Sequence, residues 1–317
     1  MAIGPKLLAA LLLLVTPATG WATGPVKVVA TVSILGDMVH QVGDAAVEVT
    51  TLVGPGNDAH VYQPTPADAK ALAAADLVVV NGLGLEGWLD RLIQASGTKA
   101  PIIVASRGVQ PQTMQDGDTE KPKLVTDPHA WQNPANGRIY VGNLAEALAN
   151  TDPAHAAGYR QRAQAYSQEL AALDGWVRQQ IDQVPAAKRK IITTHDAFGY
   201  FGKAYGVTFL APEGISTDSE PTAAGLGRLA KQIKKEQIRA LFIESMTDPR
   251  LMQTLARESG AVVGGTVYSD SPSPPGGPAD SYVKMFRHNV AAFVAAMQQN
   301  WGMSRSMLKL EGRRCSP

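Results

Sequence analysis

The chain carries six histidines, and three of them stand where side chains can converge on a ligand. His60 lies in the Gly/Pro loop GPGNDAHVYQPTP, which follows a predicted strand. His195 comes directly after the predicted strand KIITT, and His129 sits in DPHAWQNP, at the end of a long polar loop. Asp270 likewise follows a predicted strand, AVVGGTVY. In open α/β sheets, ligands gather at the carboxyl ends of strands. Three imidazoles and one carboxylate suit Zn²⁺, whose tetrahedral sites take four such donors. The same donors accept Mn²⁺ or Fe²⁺, because geometry and availability select among these ions more than ligand type does.

Each residue also has a plainer reading. A solitary loop histidine is ordinarily a surface or satisfied polar group, and Asp270 in SDSPSP has the composition of a turn cap. What lifts the four above that reading is their distribution, two in each half of the chain and each at a strand end or in its loop. His40 and His288 fall inside predicted helices and His155 in the first turn of another, so all three read as surface or packing residues.

Two other chemistries compete. Gly82, Gly84 and Gly87 form GLGLEG between the predicted strand DLVVVN and a helix, which matches the dinucleotide fingerprint. The residue about 20 positions further on is Arg107 rather than an acid, and the unit is not the first β-α turn of its domain. Glycines for a tight turn explain the motif without a ligand. A zinc hydrolase is the stronger rival. Catalytic zinc usually keeps three protein ligands and an open water position. This chain has no HExxH and offers a fourth donor, and no GxSxG elbow points to a serine hydrolase.

Residues so far apart need a frame, and one stretch supplies it. From Asp152 to about Val184, apolar residues recur at Tyr159, Ala163, Tyr166, Leu170, Leu173, Val177 and Ile181, a single stripe at three- and four-residue spacing. Asp152 and Pro153 suit a helix start, and Pro185 stops it. At about 1.5 Å per residue this helix would run roughly 45 Å, longer than one small domain. It reads as a strut, with His60 and His129 before it and His195 and Asp270 after it.

On both sides of the strut, strands and helices alternate. VKVVATV, VEVTTLV, DLVVVN and PIIVAS read as strands before it; KIITT, VTFLA, RALFIES and AVVGGTVY read as strands after it. Residues 107–126 read as one long irregular loop. The fold class expected is α/β: two β-α lobes with mainly parallel sheets, bridged by the long helix. The expected divisions are a lobe over 23–151, the linking helix over 152–184 and a lobe over 185–317.

The N-terminus and composition bound the setting. MAIGPKLLAALLLLVTPATGWA has one cation, Lys6, an apolar run from Leu7 to Val15, and then the small residues Ala18, Gly20 and Ala22. That run is too short for a bilayer, which takes about 20 residues, and residues 1–22 read as a secretory signal peptide. Cys315 is the single cysteine, so no disulfide framework exists and no cysteine near the expected cleavage site carries a lipid anchor. Formal net charge is +1 without a dense Lys/Arg run, which gives nucleic acid no surface. A monomeric periplasmic protein is expected.

DAHVYQPTPAD, DPHAWQNP, THDAFGYF, the EPTA helix leading to ALFIES, and SDSPSPPGGPADSYVKMFRHN occur in this order. Together they resemble the zinc/manganese-binding substrate-binding proteins of metal-ion ABC importers. The resemblance covers nearly all of the chain after the signal segment. It implies two α/β lobes on one rigid helix, a metal ion held between them by His60, His129, His195 and Asp270, and a membrane permease as partner, with no catalysis. Glu244, at the end of LFIES, becomes a candidate acceptor for an imidazole N–H, a role such ligands commonly need; a surface carboxylate at a strand end is the alternative. In that family a histidine at the third ligand position tends to mark zinc receptors and a glutamate manganese receptors, so His195 points to zinc. Zinc receptors often also carry a His-rich acidic loop, whereas residues 107–126 hold Asp116, Asp118 and Glu120 but no histidine. That difference keeps manganese open.

Overall fold

A computed structural model describes residues 24–116, 123–214, 216–217 and 221–300. The expected signal segment 1–22 and Cys315 lie outside the described residues.

The first half alternates as its pattern predicts: β1 (Val26–Val32), α1 (Ser33–Gly43), β2 (Val47–Val53), α2 (Pro66–Ala73), β3 (Leu77–Val80), α3 (Leu89–Ser96) and β4 (Ile102–Val104). The strands form one sheet in the order β2-β1-β3-β4, parallel throughout. β3 is LVVV with all four residues buried, as an apolar run without alternation requires when helices cover both faces. Next come β5 (Thr113–Asp116), β6 (Lys123–Thr126) and α4 (Pro134–Thr151). The second half follows α5 (Ala156–Asp182) with β7 (Lys190–Ile192), α6 (Gly199–Tyr205), β8 (Thr208–Leu210), α7 (Ala223–Glu236), β9 (Ala240–Glu244), α8 (Pro249–Ser259), β10 (Val262–Val267) and α9 (Tyr282–Met297). Its sheet runs β10-β9-β7-β8 and is also parallel.

α5 is the strut. Its buried residues are Tyr159, Ala163, Tyr166, Leu170, Leu173, Val177 and Ile181, the full stripe that the spacing predicts. At 27 residues it runs about 40 Å. The helix starts later than the sequence suggests. Residues Pro153–His155 form a separate 3-10 turn, and Asp152 does not cap with its side chain. Its carboxylate instead accepts from His155 Nδ1 at 2.6 Å and from the Tyr159 hydroxyl at 2.8 Å. The preceding helix is capped by a side chain: Asn133 Oδ1 accepts from Ala135 N at 2.9 Å, with Pro134 in the first turn.

The core ties the halves together. One continuous apolar cluster runs from β1 and β3 through α4 and α5 to α6 and α9. Only the outer face of the second sheet is separate, where Ile192 and Leu241 pack with Ile233, Met252 and Leu255 of α7 and α8.

One expectation needs correcting. Residues 107–126 are not wholly irregular, because β5 and β6 pair antiparallel, with Thr113 opposite Thr126 and Met114 opposite Val125. The ribbon is fastened at its base, where Asp127 N donates to Gln112 O at 2.9 Å and Gln112 N to the Tyr200 hydroxyl at 3.0 Å. Polar strands with Leu124 facing solvent bury too little to show an apolar alternation, so the pairing left no mark in the sequence.

Candidate metal centre

The ends of β7, β9 and β10 lie side by side and present His195, Glu244 and Asp270 at one edge of the second sheet. The first half brings His60 on the loop after β2 and His129 just before a 3-10 turn at Ala130–Gln132. The His60 loop is held by Trp88 Nε1, which donates to Ala59 O at 2.9 Å, and by Asp58 Oδ1, which accepts from His60 N at 2.8 Å.

All four sequence candidates meet. His60, His129, His195 and Asp270 each bring one donor atom within 4.8 Å of the others, and no other such cluster occurs among the described residues. His60 Nε2 is 3.2 Å from His129 Nε2, which is 3.4 Å from His195 Nε2. Asp270 Oδ2 lies 3.2 Å from His60 Nε2 and 3.4 Å from His195 Nε2, and Oδ1 lies 3.6 Å from His129 Nε2. A tetrahedron of donors about 2.0–2.1 Å from zinc has edges of about 3.3–3.4 Å. The donor set matches that size.

The polar accounting is as telling as the spacing. Asp270 is 2% exposed, yet neither carboxylate oxygen has a hydrogen-bond partner among the described residues. A buried carboxylate left that way is costly unless a cation meets it. The nearby imidazole nitrogens approach it at ion-pair distance without hydrogen-bond alignment.

Two of the imidazoles are oriented from behind. His129 Nδ1 lies 2.8 Å from Asp127 Oδ1, which also accepts from His129 N at 2.9 Å. An Nδ1–H donated to that carboxylate leaves Nε2 with its lone pair toward the site. His195 Nδ1 lies 2.6 Å from Glu244 Oε2, an ion-pair contact off the hydrogen-bond direction, and His195 N donates to Glu244 Oε1 at 2.9 Å. Glu244 is fully buried and also accepts from the Ser269 hydroxyl. The candidate acceptor of the sequence therefore stands directly behind His195 rather than at the surface. Burial works against charge on His195, but the Glu244 and Asp270 carboxylates outweigh it and hold the imidazole pKa well above its usual value. Burial likewise opposes ionisation of Asp270, and the neighbouring His195 and His129 overcome it, holding that carboxyl well below the usual range.

Asp127 and Ser269 are the residues that sequence reasoning missed. Asp127 precedes His129 by two in DPH, a spacing at which an Asx side chain can reach its own backbone two residues on. Gly199 makes room for it, since a Cβ there would lie 2.5 Å from Asp127 Oδ2. Ser269 precedes Asp270, and its carbonyl accepts from Trp131 Nε1 at 2.9 Å and Gln132 Nε2 at 2.7 Å, joining the His129 turn to the second sheet. The three histidines read as surface or packing residues are elsewhere: His40 is exposed on α1, His155 pairs with Asp152, and His288 Nε2 meets Thr266 O at 2.9 Å. No site residue singled out in the sequence falls away from the cluster.

Comparison with known proteins agrees with this geometry. Residues 28–296 match the family described as zinc-uptake complex component A, periplasmic. The manganese-binding lipoprotein MntA of Halalkalibacterium halodurans is 32% identical over 273 residues, covering 86% of this chain and 89% of that protein. The iron-binding protein YfeA of Yersinia pestis is 33% identical over 265 residues, covering 83% and 84%. Among solved structures, the periplasmic zinc-binding protein TroA from Treponema pallidum superposes with a TM-score of 0.80 at 32% identity, over 86% of this chain and 99% of that one. The chain belongs to this family of metal-binding receptors of ABC transporters, which are not enzymes, and shares their two-lobed α/β fold.

Proposed function

We propose that this chain is an extracytoplasmic receptor that captures Zn²⁺ between its lobes through His60, His129, His195 and Asp270 and hands it to the membrane permease of an ABC importer. The observation that carries the reading is the buried Asp270 carboxylate, without an aligned hydrogen bond and ringed by three imidazole Nε2 atoms at ion-pair distance. Three neutral imidazoles and one carboxylate around a dication leave a site of net charge +1, compact enough for a four-coordinate ion. His60 is the most exposed of the four, so the ion enters on its side.

Manganese or iron is the second reading. Relatives of similar identity are named for those metals, and both Asp270 oxygens face the site, as a higher coordination number would use. The proposed setting is the periplasm, reached by the secretory segment 1–22, and the working state is a monomer with no nucleic-acid partner. No helix among the described residues is long and apolar enough to cross a membrane. The lobes divide, in this reading, at the linking helix of residues 152–184.

The deciding experiment is a metal competition on chelator-stripped mature protein, Zn²⁺ against Mn²⁺, read by elemental analysis after desalting. One zinc retained per chain and hardly displaced by excess manganese supports the zinc receptor. Comparable manganese retention moves the assignment to the second reading, and no retained metal overturns the site.

A further inference from the structure

Each sheet reverses its strand order once, between β1 and β3 in the first and between β7 and β9 in the second. Such a point opens a crevice at the carboxyl ends of the strands, where α/β proteins place ligands. The second crevice holds His195 and Glu244. The first is filled from within. Glu86, from the glycine motif GLGLEG, turns its carboxylate into it. Oε1 accepts from Asn81 N at 2.6 Å and from the Thr31 hydroxyl at 2.7 Å, and Oε2 accepts from Gly82 N at 3.1 Å. The backbone donors that a dinucleotide phosphate would need are spent on this side chain. Gly82 has φ +80°, a turn that favours glycine.

The two crevices thus share a device, a carboxylate holding the strand ends, and only one touches a metal-binding histidine directly. The other acts at one remove. Asn81 is fully buried and every polar group of its side chain is committed: Nδ2 donates to Gly82 O at 2.9 Å and to Pro128 O at 3.0 Å, and Oδ1 accepts from the Tyr140 hydroxyl at 2.7 Å. Pro128 O belongs to the peptide whose nitrogen is that of His129. That peptide is therefore pinned from both sides, its carbonyl by Asn81 and its N–H by Asp127, and Asp127 also takes the ring Nδ1.

We infer that Asn81, braced by Glu86, is a positioning residue of the metal site: it sets where His129 Nε2 points without touching the ion. This rests on the metal-receptor reading above. Losing an outer partner of a metal ligand typically lowers affinity by about 10–100-fold.

Asn81→Asp keeps the acceptor for Tyr140 but turns an oxygen toward Pro128 O in place of the donor. The test loads wild-type protein, Asn81→Asp, Glu86→Gln and the core variant Leu148→Ala with Co²⁺ and with Zn²⁺. It records the Co²⁺ absorption bands, zinc affinity by chelator competition and the thermal midpoint of each metal-free protein. The expected result is a zinc affinity about 10–100-fold lower in Asn81→Asp, with shifted Co²⁺ bands. Glu86→Gln should move both in the same direction by less, and Leu148→Ala should lower only the midpoint. Wild-type affinity and bands in Asn81→Asp overturn the inference, as do equal changes in Leu148→Ala. If Asn81→Asp does not fold, Glu86→Gln decides, and wild-type bands there overturn it. A wild-type protein that binds no metal sinks the receptor reading instead, so the two failures are distinct.

Discussion

Binding zinc at neutral pH should expel one proton per ion, and the proton should come from His195. This buried imidazole has Glu244 Oε2 2.6 Å from Nδ1 and Asp270 Oδ2 3.4 Å from Nε2. Burial alone would lower its pKa, yet the two carboxylates more than reverse that and hold it well above normal. The sign follows. The protonated ring is favoured below the ordinary value of about 6.5 and stays favoured until the pH passes the raised pKa. A metal needs the Nε2 lone pair and must displace that proton. With one proton in competition, apparent affinity falls about tenfold, or about 1.4 kcal/mol, for each pH unit below the raised pKa, and levels off only above it. The affinity loss therefore begins at a higher pH than an ordinary histidine in place of His195 would set. Calorimetry in two buffers of different ionisation enthalpy counts the protons at pH 7, and chelator competition from pH 6 to 8 gives the slope. Glu244→Gln should reduce the proton count by removing one of the two charges that hold the proton. Full stoichiometric binding with no proton release, or a flat affinity across that range, would refute the reasoning.

Two further outcomes follow from the packing. His60→Ala, His129→Ala, His195→Ala and Asp270→Ala should each weaken zinc retention beyond the roughly 100-fold that loss of an outer partner can cost, while His155→Ala and His288→Ala bind as wild type; equal effects from all six, in the same chelator competition, would undo the site. Phe293 is fully buried against Phe198, Phe209 and Phe242. Phe293→Ala should cost about 3–5 kcal/mol in urea unfolding of the metal-free protein, and a loss below about 1 kcal/mol would mean that α9 is not a core element.

What could be read from the sequence divides along a physical line. The strut was legible because burial on one face of a helix writes a period into the residues, and all seven stripe positions are buried. His195 and Asp270 stood out because parallel sheets place strand ends together, so position along the chain stood in for position in space; Glu244 became a candidate only through the family resemblance. Asp127, Ser269, Asn81 and Glu86 were not. Each acts through a few specific hydrogen bonds, and such bonds have no period. The β5/β6 ribbon was invisible for a related reason, being polar on paired strands that bury little.

The arrangement also explains why one helix can serve as the connection. A hinge of two free lobes would need the metal to pull them shut, but in this structure the lobes share contacts of their own. Asp37 on α1 accepts from Tyr282 N at 2.7 Å, at the amino end of α9, where a carboxylate also meets the positive end of the helix dipole. The Tyr282 hydroxyl donates to Trp131 O, while Trp131 and Gln132 donate back to Ser269 O. These contacts are worth about 0.5–1.5 kcal/mol each, and the continuous core beneath them resists separation further. Burial raises the Asp37 pKa, and the bond from Tyr282 N works against that shift by favouring the ionised carboxylate. On the proposed reading, the ion takes its donors from both lobes across this seam. On that reading, Asp127 and Glu244, which stand behind His129 and His195, are where the two lobes set the orientation of their ligands.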